Sequence, residues 1–219
     1  MKLPAKSNRA RRAERGAASR ASILAAAERV FAERGLAGAR MDEIATQARV
    51  NKALVYYYFK SKEELYEAVV EDHFKAFNHQ ALEVLSSSGP PRDILLRYVS
   101  LHFDFISARH RYASLFQQFM SAGGEMPRRF ARKYFAPRSE AFAGLLQRGI
   151  REGDFRRVDR FHAGVSVIAL IVFYFSAAPV LNLLGHTDAF SEANLKRRKQ
   201  EVLAFIRHGL FSNPESEAS

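Results

Sequence analysis

The sequence predicts an all-α protein, with a small N-terminal helical module ahead of a larger helical body. Three observations lead there. From Ala21 onward the apolar residues recur at helical spacing, with no strand-like alternation. Breaks fall between the periodic stretches, at Gly35, at Ser86-Ser87-Ser88-Gly89-Pro90-Pro91 and at Pro137. Finally, Met41 to Tyr66 reads MDEIATQARVNKALVYYYFKSKEELY, a short helix, a tight break, a second short helix and a capped third. That is the layout of a helix-turn-helix.

Residues 1–19 are basic and rich in small residues, without apolar periodicity, and read as a flexible arm. Such an arm can lie in a minor groove, although segments of this composition are more often plain disordered tails. In the first helix Ile23, Leu24, Ala27, Val30 and Phe31 form one stripe, and Gly35 stands where a C-terminal cap belongs. Short helices follow over 42–48 and 52–58. Ser61 and Glu64 make a capping box for a long helix ending near Leu85. Further helices are expected over 92–108, 111–122, 127–152, 159–184 and 191–211. Pro137 should kink or split the third of these. The acidic end, residues 212–219, reads as a disordered tail. The domains drawn from this are residues 20–66 for the reader and 67–211 for the body.

Charge is concentrated at one end. Residues 1–62 hold 14 of the 34 Lys and Arg but only 5 of the 23 acids, so they supply +9 of the net +11. A basic module on a nearly neutral body is the footprint of a polyanion binder. With 47% hydrophobic residues and 18 Phe the chain can fill a real core. The absence of Cys rules out a disulfide framework and suits the cytoplasm. The first residues carry Arg and Lys where a signal peptide would be apolar. No Gly-rich phosphate loop, nucleophile elbow or His pair at metal-ligand spacing is present, so neither an enzyme nor a metal or cofactor site is expected.

The second short helix is the most informative element. Asn51 is a good N-cap. At about 100° per residue, Val55 and Phe59 project to one side and can close over Ile44, Ala45, Ala48 and Val50. Ala53, Leu54, Tyr57 and Tyr58 then face water, and a clustered apolar set of this kind marks a contact surface. In a major groove Ala53 and Leu54 can touch thymine methyls while Lys52 donates to guanine. Tyrosine hydroxyls, Arg40 and Lys62 can reach phosphates. The rival reading is a helical module that offers the same tyrosine face to a protein. Only DNA binding should weaken steeply with salt.

ILAAAERVFAERG, MDEIATQARV and NKALVYYYFKSKEELYEAVV together resemble the DNA-binding domain of the tetracycline-repressor (TetR) family of bacterial transcription regulators. The resemblance spans about residues 21–70, with several motifs in the same order and spacing. It implies a homodimer of all-helical subunits, each a three-helix reader joined to a body that binds a small ligand and dimerises. Carried across, Lys52, Ala53 and Leu54 fall on base-reading positions, and Tyr56, Tyr57 and Tyr58 on groove and phosphate positions. Lys62 falls on a phosphate-contacting lysine, and Arg40 on a position usually held by Ser or Thr. Arg49 stands where the family usually has Gly, at a cost of about 1 kcal/mol if φ must be positive.

Ala163 to Gly185 carries no charged side chain and is long enough to span a bilayer, with arginines flanking one end. Ser166, Ser176, Pro179 and Asn182 dilute it, and no membrane association is expected. A helix apolar on all sides can instead be buried half by its own core and half by a twin subunit. The expected dimer residues are Ile168, Val172 and Phe175, with Val202, Leu203, Ile206 and Leu210 as the complementary stripe. The effector pocket that the resemblance implies is expected around His102, Phe105, Phe116, Phe119, Met120, Phe173 and Tyr174, so its ligand should be apolar or aromatic. Repression lifted by that ligand is the expected mode, with activation as the alternative.

Overall fold

The computed structural model describes residues 8–121, 123–185 and 188–213. Residues 1–7 of the expected arm and 214–219 of the expected tail lie outside them. Helix α1 (Asn8–Gly38) begins well ahead of its apolar stripe. Residues 8–19, read as a flexible arm, are therefore helical. Ala and Arg dominate that stretch, and both are strong helix formers, so propensity carries the helix ahead of its apolar stripe. Gly35, at φ 68° and ψ 174°, breaks the helical path at the expected cap.

The chain divides into two compact units, Met1–His73 and Phe74–Ser219, with the boundary inside α4 (Lys62–Leu85). In the first unit α1 packs on α2 (Met41–Ala48), which packs on α3 (Lys52–Tyr58). Ile23, Val30, Phe31, Ile44, Val55, Phe59, Leu65 and Tyr66 form its core, all but inaccessible to solvent. Phe31 meets Tyr66 edge to face at 5.1 Å. Sequence-local caps fix the helix starts. Asn51 Oδ1 accepts from the Leu54 amide (2.7 Å), and Ser61 Oγ accepts from the Glu64 amide (3.1 Å). Glu64 Oε2 in turn accepts from the Lys60 amide (3.0 Å), completing the expected box one residue further back.

The second unit is built around α5 (Pro91–Ser107), which packs against α8 (Ala136–Glu152), α9 (Arg160–Ser176) and α11 (Glu192–Leu210). Between them run α6 (His110–Ser121), α7 (Glu125–Phe130) and a π-helical turn, Ala131–Phe135. The expected split at Pro137 takes this form: the wide turn comes just ahead of a proline that has no N–H to give the preceding carbonyls. The expected helix over 159–184 is two helices. Asp159 caps α9 by accepting from the His162 amide at 2.8 Å. The path then bends by 68° into α10 (Ala178–Gly185), where Pro179 cannot continue the ladder. Among the described residues no single helix is long and apolar enough to cross a membrane. Sheet structure among them is confined to one antiparallel bridge, Phe155 with Phe211.

Candidate functional site

The turn between α2 and α3 places the candidate reader. Arg49 closes α2 in the left-handed region (φ 57°, ψ 41°), and its amide donates to the Ala45 and Thr46 carbonyls. It has the only positive φ among the described non-glycine residues. Val50 donates to Ala45 O at 3.0 Å, and the chain turns straight into the Asn51 cap. Helix α3 buries Val55 beneath this turn, with Phe59 following as its C-terminal cap.

Outward, α3 presents Lys52, Ala53, Tyr56 and Tyr57 to solvent, Tyr57 being 78% exposed. Leu54 is half-buried, and so is Tyr58, whose hydroxyl donates to Gly16 O at 3.0 Å. The early part of α1 thus takes up the hydroxyl expected for a phosphate. Two other candidates are also engaged within the unit. Lys52 Nζ lies 2.8 Å from Asp42 Oδ1, and the hydrogen bond to that carboxylate raises the ammonium's pKa. Lys62 Nζ donates to the carbonyls of Ala37 (3.2 Å) and Ala39 (3.1 Å), closing the end of α1. Lys62 therefore has a structural role that the expectation of a phosphate contact left out. Arg40 is exposed at the N-cap of α2 without a side-chain capping bond.

In the second unit a cavity of about 260 Å³ lies against α5, α6, the π-turn, α8 and α9. Of the expected pocket residues only Phe116 and Met120 line it. His102, Phe105 and Phe119 are sealed in the core instead. The His102 ring packs tilted against Phe77 at 4.3 Å, and desolvation, helped by the Arg138 charge, holds its pKa down at about 3. Phe173 faces solvent, and Tyr174 is half-buried with its hydroxyl on Ala189 O (2.7 Å). The walls missed in the sequence are Tyr98, Phe135, Arg138 and Phe142, with Phe161 and Ile168 on α9. The aromatic content signalled them weakly; Pro137 marked a break ahead of α8 but not the wide turn that carries Phe135.

The dimer face also needs correction. Phe175, Val202, Ile206 and Leu210 are buried inside the subunit rather than exposed for a partner to cover; Ile168, Val172 and Leu203 are half-buried. Their helical neighbours include several large apolar side chains left in water, among them Phe161 and Phe173 on α9, Leu183 and Leu184 on α10, and Phe205 on α11. On a helix apolar all round, sequence periodicity does not say which side the subunit's own core takes.

Two family models match the chain. That of bacterial regulatory proteins of the tetR family covers residues 23–69, and that of the tetracyclin repressor-like C-terminal domain covers 91–206. The HTH-type transcriptional repressor NicS of Pseudomonas putida is 28% identical over 89% of this chain and 92% of its own. The HTH-type transcriptional activator FasR of Mycolicibacterium smegmatis is 40% identical over a shorter stretch, 40% of each chain. Among solved structures, the ketosteroid transcriptional regulator KstR2 of Mycobacterium tuberculosis superposes with a TM-score of 0.69 at 21% identity, covering 89% of this chain and 95% of its own.

Proposed function

We propose that this chain, which belongs to the TetR family of bacterial regulatory proteins, is a homodimeric repressor that a small molecule releases from its operator. The observation that carries the reader assignment is the open face of α3: Lys52, Ala53, Tyr56 and Tyr57 stay in solvent while Val55 anchors the helix. Lys52 and Ala53 meet base edges, and Tyr56, Tyr57 and Arg40 meet the groove wall and phosphates. The exposed apolar side chains of α9, α10 and α11 pair with the same surface of a second copy. The cavity of the second unit takes the effector. Helix α4 runs from reader to body, so a change in its tilt alters the spacing of two readers that must match half-sites about 34–36 Å apart. A ligand shifts that balance only by its differential affinity for the two arrangements. Such a regulator works in the cytoplasm, with its operator.

The test starts from DNA that the purified protein selects out of genomic fragments. Fluorescence anisotropy should show log affinity falling linearly with log salt. Lys52→Ala and Tyr57→Ala should each weaken the complex about tenfold, the loss of one contact worth about 1–3 kcal/mol. Wild-type affinity in both variants would remove the assignment. FasR, matched over 40% of this chain, carries the name of activator, and a promoter-reporter assay with and without the protein separates the two modes.

A further inference from the structure

The cavity that serves as effector site in the reading above carries an unanswered charge. Arg138, on the first turn of α8, is only 7% exposed and forms part of the cavity wall. Its guanidinium carbon lies 5.0 Å from the Phe77 ring centre and 5.3 Å from that of Phe135. Its Nη1 is buried and has no hydrogen-bond partner. Among the described residues no carboxylate forms an ion pair with it. Two groups share this polar problem at the core and solve it differently. His102 remains neutral, its pKa held near 3. Arginine has no such escape, because guanidinium does not lose its proton in proteins. Aromatic faces compensate a desolvated cation only in part, so the charge calls for an anion.

The geometry points to a hydrophobic carboxylate as the ligand of this cavity, its acid group paired with Arg138 and its body against the aromatic walls. Guanidinium and carboxylate match as a planar two-bond fork, and Nη1 is the vacant donor. One buried cation suits a monoanion. The other cation at the cavity, Arg160, is exposed and already donates to Gln147 (2.7 Å). Tyr98 lines the wall as well, and burial raises its phenol pKa, so it stays a neutral donor. No acidic side chain lines the cavity, so an organic cation finds no partner there and meets Arg138 instead. The remaining walls, Phe116, Met120, Phe135, Phe142 and Phe161, ask for an apolar body.

The experiment uses the full chain and matched probes. Isothermal titration at pH 7.5 compares hexanoate, octanoate, decanoate and 2-naphthoate with the alcohol and the amine of the same skeletons. Each binding pair is then tested for release of the selected DNA. At least one carboxylate should bind more than about tenfold tighter than its alcohol, the size expected when a buried charged hydrogen bond is lost, and the amine should bind weakest. Arg138→Gln should erase the acid-over-alcohol preference and Arg138→Lys should keep part of it. The comparison within wild type stands even if a variant fails to fold. Equal binding of acid and alcohol, no binding of any carboxylate, or a preference that survives in Arg138→Gln overturns the proposal. If an alcohol binds equally and still releases DNA, the anion assignment falls while the effector cavity stands. If a carboxylate binds as expected and DNA affinity does not change, the anion site stands and the effector reading falls.

Discussion

Replacing Arg49 with glycine should make the reader unit more stable. The residue sits at φ 57° and ψ 41°, where the β-carbon crowds the following carbonyl. That conformation costs an L-residue about 1–2 kcal/mol. Glycine adopts it freely but loses more freedom on folding, which returns about 0.5–1 kcal/mol. The net gain is about 0.5–1 kcal/mol. The amide bonds to Ala45 and Thr46 remain, because they belong to the backbone. For a unit of this size the gain should raise the melting midpoint by about 2–8 °C, readable by calorimetry and by urea unfolding followed by far-UV circular dichroism. Arg49→Asn should fall between wild type and glycine, since Asn tolerates the left-handed region. Arg49→Ala should gain nothing. A glycine variant that melts at or below wild type would refute the strain assignment, as would equal shifts for glycine and alanine.

Three further outcomes follow from the second unit. The neutral His102 ring stabilises fully above the ordinary histidine pKa of about 6.5, and that contribution is lost progressively as pH falls toward about 3, because the unfolded chain takes up a proton that the folded one refuses. Urea titrations between pH 7 and 5 should steepen toward about 1.4 kcal/mol per pH unit, and His102→Leu should flatten that dependence. Gly149→Ala places a methyl group against the buried Phe155 ring, which itself packs tilted against Phe211 at 5.7 Å, so stability should drop by about 1–3 kcal/mol as in other overpacked cores. Thermal unfolding checks it, and an unchanged midpoint would show that the ring moves aside freely. Leu183→Glu and Phe205→Glu put charge on the exposed apolar face and should shift light-scattering mass from dimer to monomer, whereas an intact dimer in both would place the interface elsewhere.

What the sequence reveals depends on whether a local rule or a tertiary choice decides. Asn51, Ser61 and Asp159 cap where their side-chain chemistry says they should, because a cap involves only the next few amides. Val55 and Phe59 turn inward because a short amphipathic helix has one apolar phase to offer. Helices α9 and α10 have no such phase, and so Phe175 went inside while Phe173, two residues earlier, stayed in water. Arg138 was equally hidden: in APRSE it reads as a surface residue, and only the fold brings it beside Phe77, sixty-one positions away in the chain. Helix propensity in residues 8–19 was legible and was outweighed by the missing apolar stripe.

The free reader is not an idle set of donors waiting for DNA, and this shapes how the groove is entered. Lys52 is exposed and paired with Asp42, a solvent-exposed contact of the kind that contributes little. Exchanging that partner for a base edge or a phosphate therefore costs little, and the strong field of the duplex decides the exchange. Lys62 differs. Its ammonium donates to two backbone carbonyls at the end of α1, and pulling it away costs them both bonds. Lys62→Ala should thus lower the stability of the reader unit as well as its DNA affinity, whereas Lys52→Ala should lower affinity alone. Parallel unfolding and anisotropy measurements on the two variants make the distinction. If Lys62→Ala melts like wild type and loses only affinity, its ammonium serves the phosphate, and the bonds to Ala37 and Ala39 add nothing to the fold.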